Sequence, residues 1–225
     1  MKVSPAKENI LKRIRNALSQ PLPLPFPQSE GNSPVFAAPP ENLDVHFAET
    51  FVKLNGKFIF CEDLASFGKQ FSLLCRQQGW KQILCKENHL RELLVLETSQ
   101  ASASSPLSVP LLSSLPLEQI EVALTGCECL IARTGTVVLS TGQPSGRMPS
   151  VFAPVHLVAA FADQLVWDLR EALQLMKEKY GEAWPSMWSL HTGPSRTSDI
   201  EKTLVMGAHG PKEMYVFLID QPLPR

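Results

Sequence analysis

The sequence has almost no excess of either charge, since 21 Lys and Arg stand against 22 Asp and Glu among its 225 residues. This balance argues against a general nucleic-acid-binding protein, whose domains usually carry a marked basic excess. No stretch approaches the roughly 18 consecutive apolar residues of a membrane-spanning helix, and no apolar run follows the basic N-terminal residues as in a secretory signal. We therefore expect a cytoplasmic globular protein that has no integral membrane segment and binds no nucleic acid.

The sequence also lacks the motifs that bring their own chemistry. It contains no G-x-S-x-G, P-loop or G-x-G-x-x-G pattern. Its five cysteines are odd in number and scattered, which suits a reducing compartment better than a disulfide framework. Cys127 and Cys129 are too closely spaced and too isolated for a zinc or iron–sulfur site, which needs about four ligands. We expect neither a metal nor a redox cofactor in this chain.

The 19 prolines are unevenly spread and divide the chain into three regions. Residues 1–20 are basic and carry apolar side chains at helical spacing, which predicts an amphipathic helix. That helix is expected to dock on its own domain or on a partner subunit, although membranes, calmodulin-like grooves and nucleic acids also bind such helices. Residues 21–42 hold alternating prolines, which remove backbone donors and keep the chain extended as a semi-rigid spacer. Residues 43–225 are the predicted folded domain.

Apolar segments of strand and helix length alternate after residue 42. Strands are predicted at 57–61, 82–85, 120–124, 129–132, 136–139, 155–160 and 214–219, and helices at 64–78, 88–96, 163–180 and 199–206. Apolar strands that alternate with helices are typical of an α/β fold whose mostly parallel sheet is covered by helices on both faces. The closely spaced strands between 120 and 139 imply some antiparallel pairing as well.

Ligands of open α/β sheets bind in loops at the carboxyl ends of strands. The segment 133–147 places glycines and hydroxyl side chains around one strand. Small residues let a ligand approach the backbone, and an arginine can hold a carboxylate or phosphate through two hydrogen bonds. The glycines would equally serve simple turns. The candidate ligand-binding residues here are Thr134, Gly135, Thr136, Ser145 and Arg147.

A second loop precedes the helix predicted at 199–206. Ser198 and Glu201 have the S-x-x-E spacing of a capping box, so this helix should begin near Asp199. Its free N–H groups and its dipole would make the preceding loop an anion site. Alternatively, the polar cluster only caps the helix and Arg196 pairs with Asp199. The candidate ligand-binding residues of this loop are Gly193, Ser195, Arg196, Thr197 and Asp199.

A third loop, at 207–211, contains His209 between small residues. Small neighbours leave the imidazole accessible, and its ordinary pKa suits proton transfer, so His209 is the candidate catalytic residue. Gly210 is a candidate substrate-binding residue beside it. The alternative is that this loop supplies only a helix C-cap and a turn.

These loops resemble those of the lactate-utilisation protein C family, which carries the LUD domain. The resemblance rests on residues 131–136, 193–201 and 207–211, and on Arg147 with Pro154 and His156. It implies a fold like that of ribose-5-phosphate isomerase and the CoA transferases. It also implies a role in oxidising L-lactate to pyruvate beside iron–sulfur partner proteins.

Many members of this family have glutamate where this chain has Arg133. The related CoA transferases attack through a glutamate, and an arginine cannot act as that nucleophile. Arg133 either adds positive charge to the site or faces away from it.

From these residues and this resemblance, we expect an accessory or ligand-binding subunit of an L-lactate-oxidising system, with iron–sulfur clusters in its partners. Arg196, Ser195 and the helix N-terminus would hold a small anionic metabolite, Arg147 would assist, and His209 would lie near the reacting carbon. One alternative is a free-standing isomerase or acyl transferase acting on a sugar phosphate or a CoA thioester, which rests on fold similarity. Another is an assembly protein whose basic helix docks on a partner.

Overall fold

The computed structural model describes residues 5–19, 38–100, 109–200, 203–207 and 209–224. The chain forms two units, Met1–Ala38 and Pro39–Arg225. The first unit contains helix α1 (Pro5–Leu18), within the segment predicted as an amphipathic helix. Most of the predicted spacer, residues 21–37, lies outside the described residues and stays a prediction. No helix in the described ranges is long and apolar enough to cross a membrane.

The second unit alternates helices and strands. Its first half contains α2 (Leu43–Lys53), β1 (Lys57–Cys61), α3 (Leu64–Gln78), β2 (Ile83–Leu84), α4 (Asn88–Gln100), β3 (Leu111–Leu112), β4 (Val122–Thr125), β5 (Cys129–Ile131) and β6 (Thr136–Ser140). Its second half contains α5 (Met148–Phe152), β7 (Val155–Phe161), β8 (Leu165–Val166), α6 (Leu169–Tyr180), β9 (Trp188–His191), β10 (Arg196–Ile200), β11 (Thr203–Met206) and β12 (Glu213–Ile219).

A six-stranded parallel sheet lies at the centre of this unit. Its strand order is β1-β12-β7-β4-β2-β3, and every neighbouring pair runs parallel. β7 and β12 are buried along nearly their whole length, because their consecutive apolar residues are covered on both faces of the sheet. The predicted α/β architecture with a mostly parallel sheet is therefore confirmed.

Helices α3 and α4 cover one face of the six-stranded sheet. Phe67 and Phe71 of α3 contact Phe217 of β12, with ring centroids 5.3 and 6.1 Å apart. Leu90 and Leu94 of α4 belong to the same buried cluster. α3 has the bounds that the sequence predicts, since the Asp63 carboxylate caps its start by accepting from the Ser66 N–H at 2.6 Å.

Helices α2 and α5 and a second sheet cover the other face. The second sheet has the order β8-β5-β6-β9, in which β5–β6 and β6–β9 are antiparallel. This is the antiparallel pairing implied by the closely spaced strands at 120–139. Phe47 and Phe51 of α2 stack with ring centroids 5.4 Å apart, in the core between the two sheets.

Helix α6 covers the outer face of the second sheet and is shorter than predicted. The prediction at 163–180 followed an apolar stripe through Leu165, but that residue belongs to β8 and pairs with Leu130 of β5. The helix begins after Asp168, whose carboxylate accepts from the Leu169 N–H at 2.6 Å. Its buried face contains Ala172 and Met176.

The prediction of a helix at 199–206 is wrong, because Arg196–Ile200 and Thr203–Met206 are strands that pair as the hairpin β10–β11. Arg196 pairs with Met206 and Thr197 with Val205 in antiparallel register. The physical reason is composition: β-branched residues such as Thr197, Thr203 and Val205 favour the extended conformation, and S-x-x-E spacing alone does not overcome that preference. In the described part of the chain, a strand and not a helix therefore follows the loop that contains Ser195.

Candidate functional site

Two of the three loops that the sequence singles out, those around Ser195 and His209, meet in the structure. The Ser195 N–H donates to the carbonyl of Pro211 at 2.9 Å, and the His209 N–H donates to the Ser195 hydroxyl oxygen at 3.4 Å. The Gly207 N–H donates in turn to the Ser195 carbonyl at 3.1 Å. The hairpin β10–β11 joins the loops and holds them side by side.

A cleft of about 470 Å³ opens beside these loops. It is lined by residues 189–196, by Leu54 and by residues 209–211. Because Leu54 precedes β1 and Pro211 precedes β12, the cleft borders the amino ends of these parallel strands. The expectation that the loops gather at the carboxyl ends is therefore wrong for this cleft, since the second sheet brings β9 and its following loop to the opposite edge.

Glycines bring the backbone close to the floor of the cleft. Gly193 has a φ of 84°, and a Cβ at this position would lie 2.9 Å from the Leu54 carbonyl oxygen. A Cβ at Gly210 would lie 3.2 Å from the Ser195 Cβ. Side chains at either position would therefore disturb the packing between the loops. Both glycines are candidate residues from the sequence, and both belong to the cleft.

The polar groups of the cleft are cationic or able to donate hydrogen bonds. Arg196 and His209 are exposed, and Ser195 lies half-buried between them. His191, at the end of β9, is half-buried and contacts the Ser189 hydroxyl through Nε2 at 2.9 Å. The cleft therefore presents a guanidinium, two imidazoles and hydroxyl groups to one small volume.

A third histidine, which is fully buried, lies beside His191. His156 of β7 has its ring centroid 6.4 Å from that of His191, and its Nε2 lies 2.9 Å from the Thr125 hydroxyl. Burial, and then the neighbouring His191, lower the pKa of His156 to about 3. Burial also lowers the pKa of His191. His156 therefore stays neutral at physiological pH, and its Nδ1 has no hydrogen-bond partner in the described part of the chain.

An adjoining cleft of about 300 Å³ contains the threonines of the first loop. Thr134 and Thr136 share a hydrogen bond of 2.7 Å between their hydroxyl oxygens, and Thr136 contacts the Thr192 hydroxyl at 2.9 Å. Thr192 and Leu190 line both clefts. The structure thus connects Thr134 and Thr136 with the site around Ser195.

Arg133 also lines the adjoining cleft, where it forms an ion pair with Asp168 at 3.1 Å. Its charge is therefore partly compensated by the residue that caps α6. Gly135 contributes packing, because a Cβ there would lie 2.9 Å from the Phe51 backbone nitrogen of α2. It is buried between the turn and α2 and is not among the residues that line either cleft.

Two candidate residues of the first loop lie elsewhere. The Ser145 hydroxyl donates to Glu87 at 2.6 Å, near the carboxyl ends of β2 and β4. Arg147 is exposed at the start of α5 and does not line the cleft around Ser195. The structure therefore does not bring Arg147 into the cleft with Arg196, which the expected assistance requires. The side chains of Thr197 and Asp199 lie outside the described part of the chain, so their roles stay predictions.

Sequence analysis did not assign His156 and His191 to the site. A signal existed for His156, which interrupts an otherwise apolar strand. The signal for His191 was its nearness in sequence to the loop of Ser195, but a place as an ordinary strand residue was equally compatible with the sequence, and its position in the cleft comes from the pairing of β9 with β6, where it lies opposite Val137. Among the described residues, no group of three or more His, Cys, Asp or Glu side chains is placed to hold a metal ion.

About half of the chain is similar in sequence to known proteins. Residues 116–219 match the LUD domain family model. Lactate utilization protein C of Deinococcus radiodurans is 34% identical over 111 residues, which are 49% of this chain and 51% of that protein. Lactate utilization protein C of Bacillus subtilis is 33% identical over 107 residues, which are 46% of this chain and 45% of that protein. The chain spans about half the length of the curated relatives it matches.

A solved structure has a similar fold. The crystal structure of a DUF162 family protein from Deinococcus radiodurans superposes with a TM-score of 0.53 and covers 79% of this chain and 96% of that chain. At 18% sequence identity, this similarity supports the α/β fold alone.

Proposed function

We propose, from the premise that this chain belongs to the LUD domain family, that it acts in lactate utilization as a subunit that binds a small carboxylate anion. The binding site is the cleft between the Ser195 and His209 loops. The ligand class we propose is the substrate–product pair of lactate oxidation, a three-carbon acid with a hydroxyl or a carbonyl beside the carboxylate.

One observation carries this proposal: Ser195 and Arg196 of one candidate loop and His209 of another line a single cleft. A guanidinium holds a carboxylate through two parallel hydrogen bonds, which fixes the orientation of the acid. The glycines at 193 and 210 let the ligand approach the backbone. With the carboxylate on Arg196, His209 would lie beside the hydroxyl-bearing carbon, where an imidazole can accept or return a proton.

The electrons of lactate oxidation require an acceptor, because conversion to pyruvate removes two electrons and two protons. We propose that iron–sulfur clusters of partner proteins accept them. In support, the five cysteines are scattered along the sequence and do not form the set of about four ligands in recognisable spacing that a cluster needs. The chain would thus hold and orient the acid while its partners carry out the redox step.

Isothermal titration calorimetry with L-lactate, pyruvate, ribose 5-phosphate and CoA tests this proposal. We expect lactate and pyruvate to bind and to compete with each other. Tight binding of CoA or the sugar phosphate, without binding of either three-carbon acid, would contradict the proposal and favour the acyl transferase or isomerase function implied by fold similarity.

A further inference from the structure

A separate cavity of about 200 Å³ lies at the carboxyl edge of the six-stranded sheet. Gly126 and Cys127 follow β4, Phe161 ends β7, and Glu87 follows β2, so that three parallel strands end at its wall. Open α/β sheets bind ligands at this edge, where the loops after the strands converge. The cavity is distinct from the cleft around Ser195, which borders the amino ends of the strands.

Glu87 is the acidic group of this carboxyl-edge cavity, and it is only 2% exposed. Its Oε1 accepts from the Gly126 N–H at 3.0 Å and from the Ser145 hydroxyl at 2.6 Å. Its Oε2 lies 3.6 Å from His89 Nε2, beyond the length of a direct hydrogen bond. These donors fix the orientation of the carboxylate, and Oε2 retains acceptor capacity for a ligand.

Gly126 keeps the space beside this carboxylate open. A Cβ at Gly126 would lie 2.8 Å from Glu87 Oε2, so that any larger residue would displace the side chain. Gly142 has a similar place on the wall, because a Cβ there would lie 2.5 Å from the Tyr180 hydroxyl. Two glycines on the lining therefore leave room for the polar groups of the cavity.

The positive charge of the cavity is already compensated. Lys179 lines the wall, and its Nζ donates at 2.7 Å to Glu128, whose side chain is fully buried behind the wall. The Tyr180 hydroxyl donates to the same carboxylate at 2.6 Å. Burial lowers the pKa of Lys179 and the hydrogen bond with Glu128 raises it, with a net rise. Lys179 balances Glu128, so the basic side chain nearest to Glu87 in the described part of the chain is His89, which is about half exposed and forms an ion pair with Oε2 only when its imidazole is protonated.

We propose that this carboxyl-edge cavity binds a small organic amine, with Glu87 accepting hydrogen bonds from the ammonium group. A largely buried carboxylate that pairs with no lysine or arginine of the described residues is stabilised by a cationic donor, since a charge removed from water needs a partner. The Phe161 and Tyr180 rings on the wall offer contact to the methylenes or the cation. The volume of about 200 Å³ is below the roughly 300–1,000 Å³ of pockets that hold drug-sized ligands, so the ligand is limited to a few carbon atoms.

Titration calorimetry with matched probes tests this inference. Ethanolamine is the positive probe, and ethylene glycol, which replaces the ammonium by a hydroxyl, is the neutral control. We expect ethanolamine to bind wild type and to bind Glu87→Gln about tenfold more weakly or worse, because that change removes the charge of the acceptor but keeps its size. Glu121→Gln, at an exposed glutamate beside the amino end of β4, should leave ethanolamine binding unchanged.

The inference is overturned if ethanolamine does not bind wild type, if ethylene glycol binds as tightly, or if Glu121→Gln weakens binding as much as Glu87→Gln. A measurement on wild type covers the case in which Glu87→Gln does not fold. Ethanolamine should shift the backbone amide resonances of Gly126 and Gly142, and should leave those of Gly193 and Gly210 in place. The opposite pattern would overturn the inference too. Arg196→Ala should not alter ethanolamine binding, which separates this test from that of the anion cleft.

Discussion

The backbone N–H of His209 donates to the hydroxyl oxygen of Ser195 over 3.4 Å, across 14 positions of sequence. This contact joins two loops that a helix between them was expected to separate. The hairpin β10–β11 instead returns the chain on itself, so that both loops form the wall of one cleft. The relative position of Arg196 and His209 therefore depends on a strand pairing and not on a helix terminus.

Gly193→Ala should destabilise the protein more than Gly79→Ala. Both glycines have positive φ, 84° and 67°, so each substitution costs roughly 1–2 kcal/mol for a left-handed conformation. At Gly79 a Cβ meets nothing within 4 Å, whereas at Gly193 it lies 2.9 Å from the Leu54 carbonyl oxygen. Urea unfolding measures the loss of stability in each variant. The difference between the two losses is the cost of the steric contact with Leu54. Equal losses would show that the loop moves away from Leu54 without cost.

Asp168→Ala should cost about 0.5–2 kcal/mol of stability, because it removes the cap of α6. Asp168→Asn should cost less, since an asparagine oxygen can still accept from the Leu169 N–H. The asparagine variant loses only the ion pair with Arg133, whose side chain is 38% exposed, so about 1 kcal/mol or less is expected. Urea unfolding of both variants checks the order. Equal losses in the two variants would identify the ion pair, which both variants lack, as the main contribution.

The free energy of unfolding should fall as the pH is lowered from about 6.5 toward 3, because of His156. The ordinary pKa of histidine is 6.5, and burial lowers that of His156 to about 3 in the folded chain. Across this window the unfolded chain binds a proton that the folded chain excludes, so stability is lost by at most about 1.4 kcal/mol per pH unit. The lowered pKa of His191 acts in the same direction.

The variant His156→Gln should show a shallower dependence of stability on pH, because glutamine does not titrate and its longer side-chain amide can reach the position of Nε2, which contacts the Thr125 hydroxyl. Urea unfolding between pH 7.5 and 5 measures the slope for wild type and variant. Identical slopes would mean that His156 is not excluded from protonation in the folded state.

The sequence predicts the parallel sheet and α3 well, because these elements follow local rules. α3 carries its stripe of Phe67, Phe71 and Leu74 from a capping Asp63 to Gly79 in the left-handed conformation, and nothing outside the helix contradicts that pattern. Strands such as β12 consist of consecutive apolar residues and are buried on both faces.

Prediction fails where tertiary pairing overrides local pattern. Leu165 continues the apolar stripe of α6 in sequence. In the structure it belongs to the edge strand β8 and pairs with Leu130 of β5. Likewise, Ser198 and Glu201 have capping-box spacing inside a segment that pairs as a hairpin. The place of Ser145 could not be read from its loop, because its partner Glu87 is 58 positions away and no spacing rule connects them.

The measurement that tests the central claim most directly compares two arginines. Both side chains are exposed. Arg196 lines the cleft around Ser195, whereas Arg147 lies at the start of α5, outside that cleft. Calorimetry with pyruvate and L-lactate should show that Arg196→Ala weakens binding about tenfold or more, because charge-assisted hydrogen bonds are lost, while Arg147→Ala binds as wild type does. If both variants lose affinity equally, or if Arg196→Ala retains it, the proposed anion site is wrong.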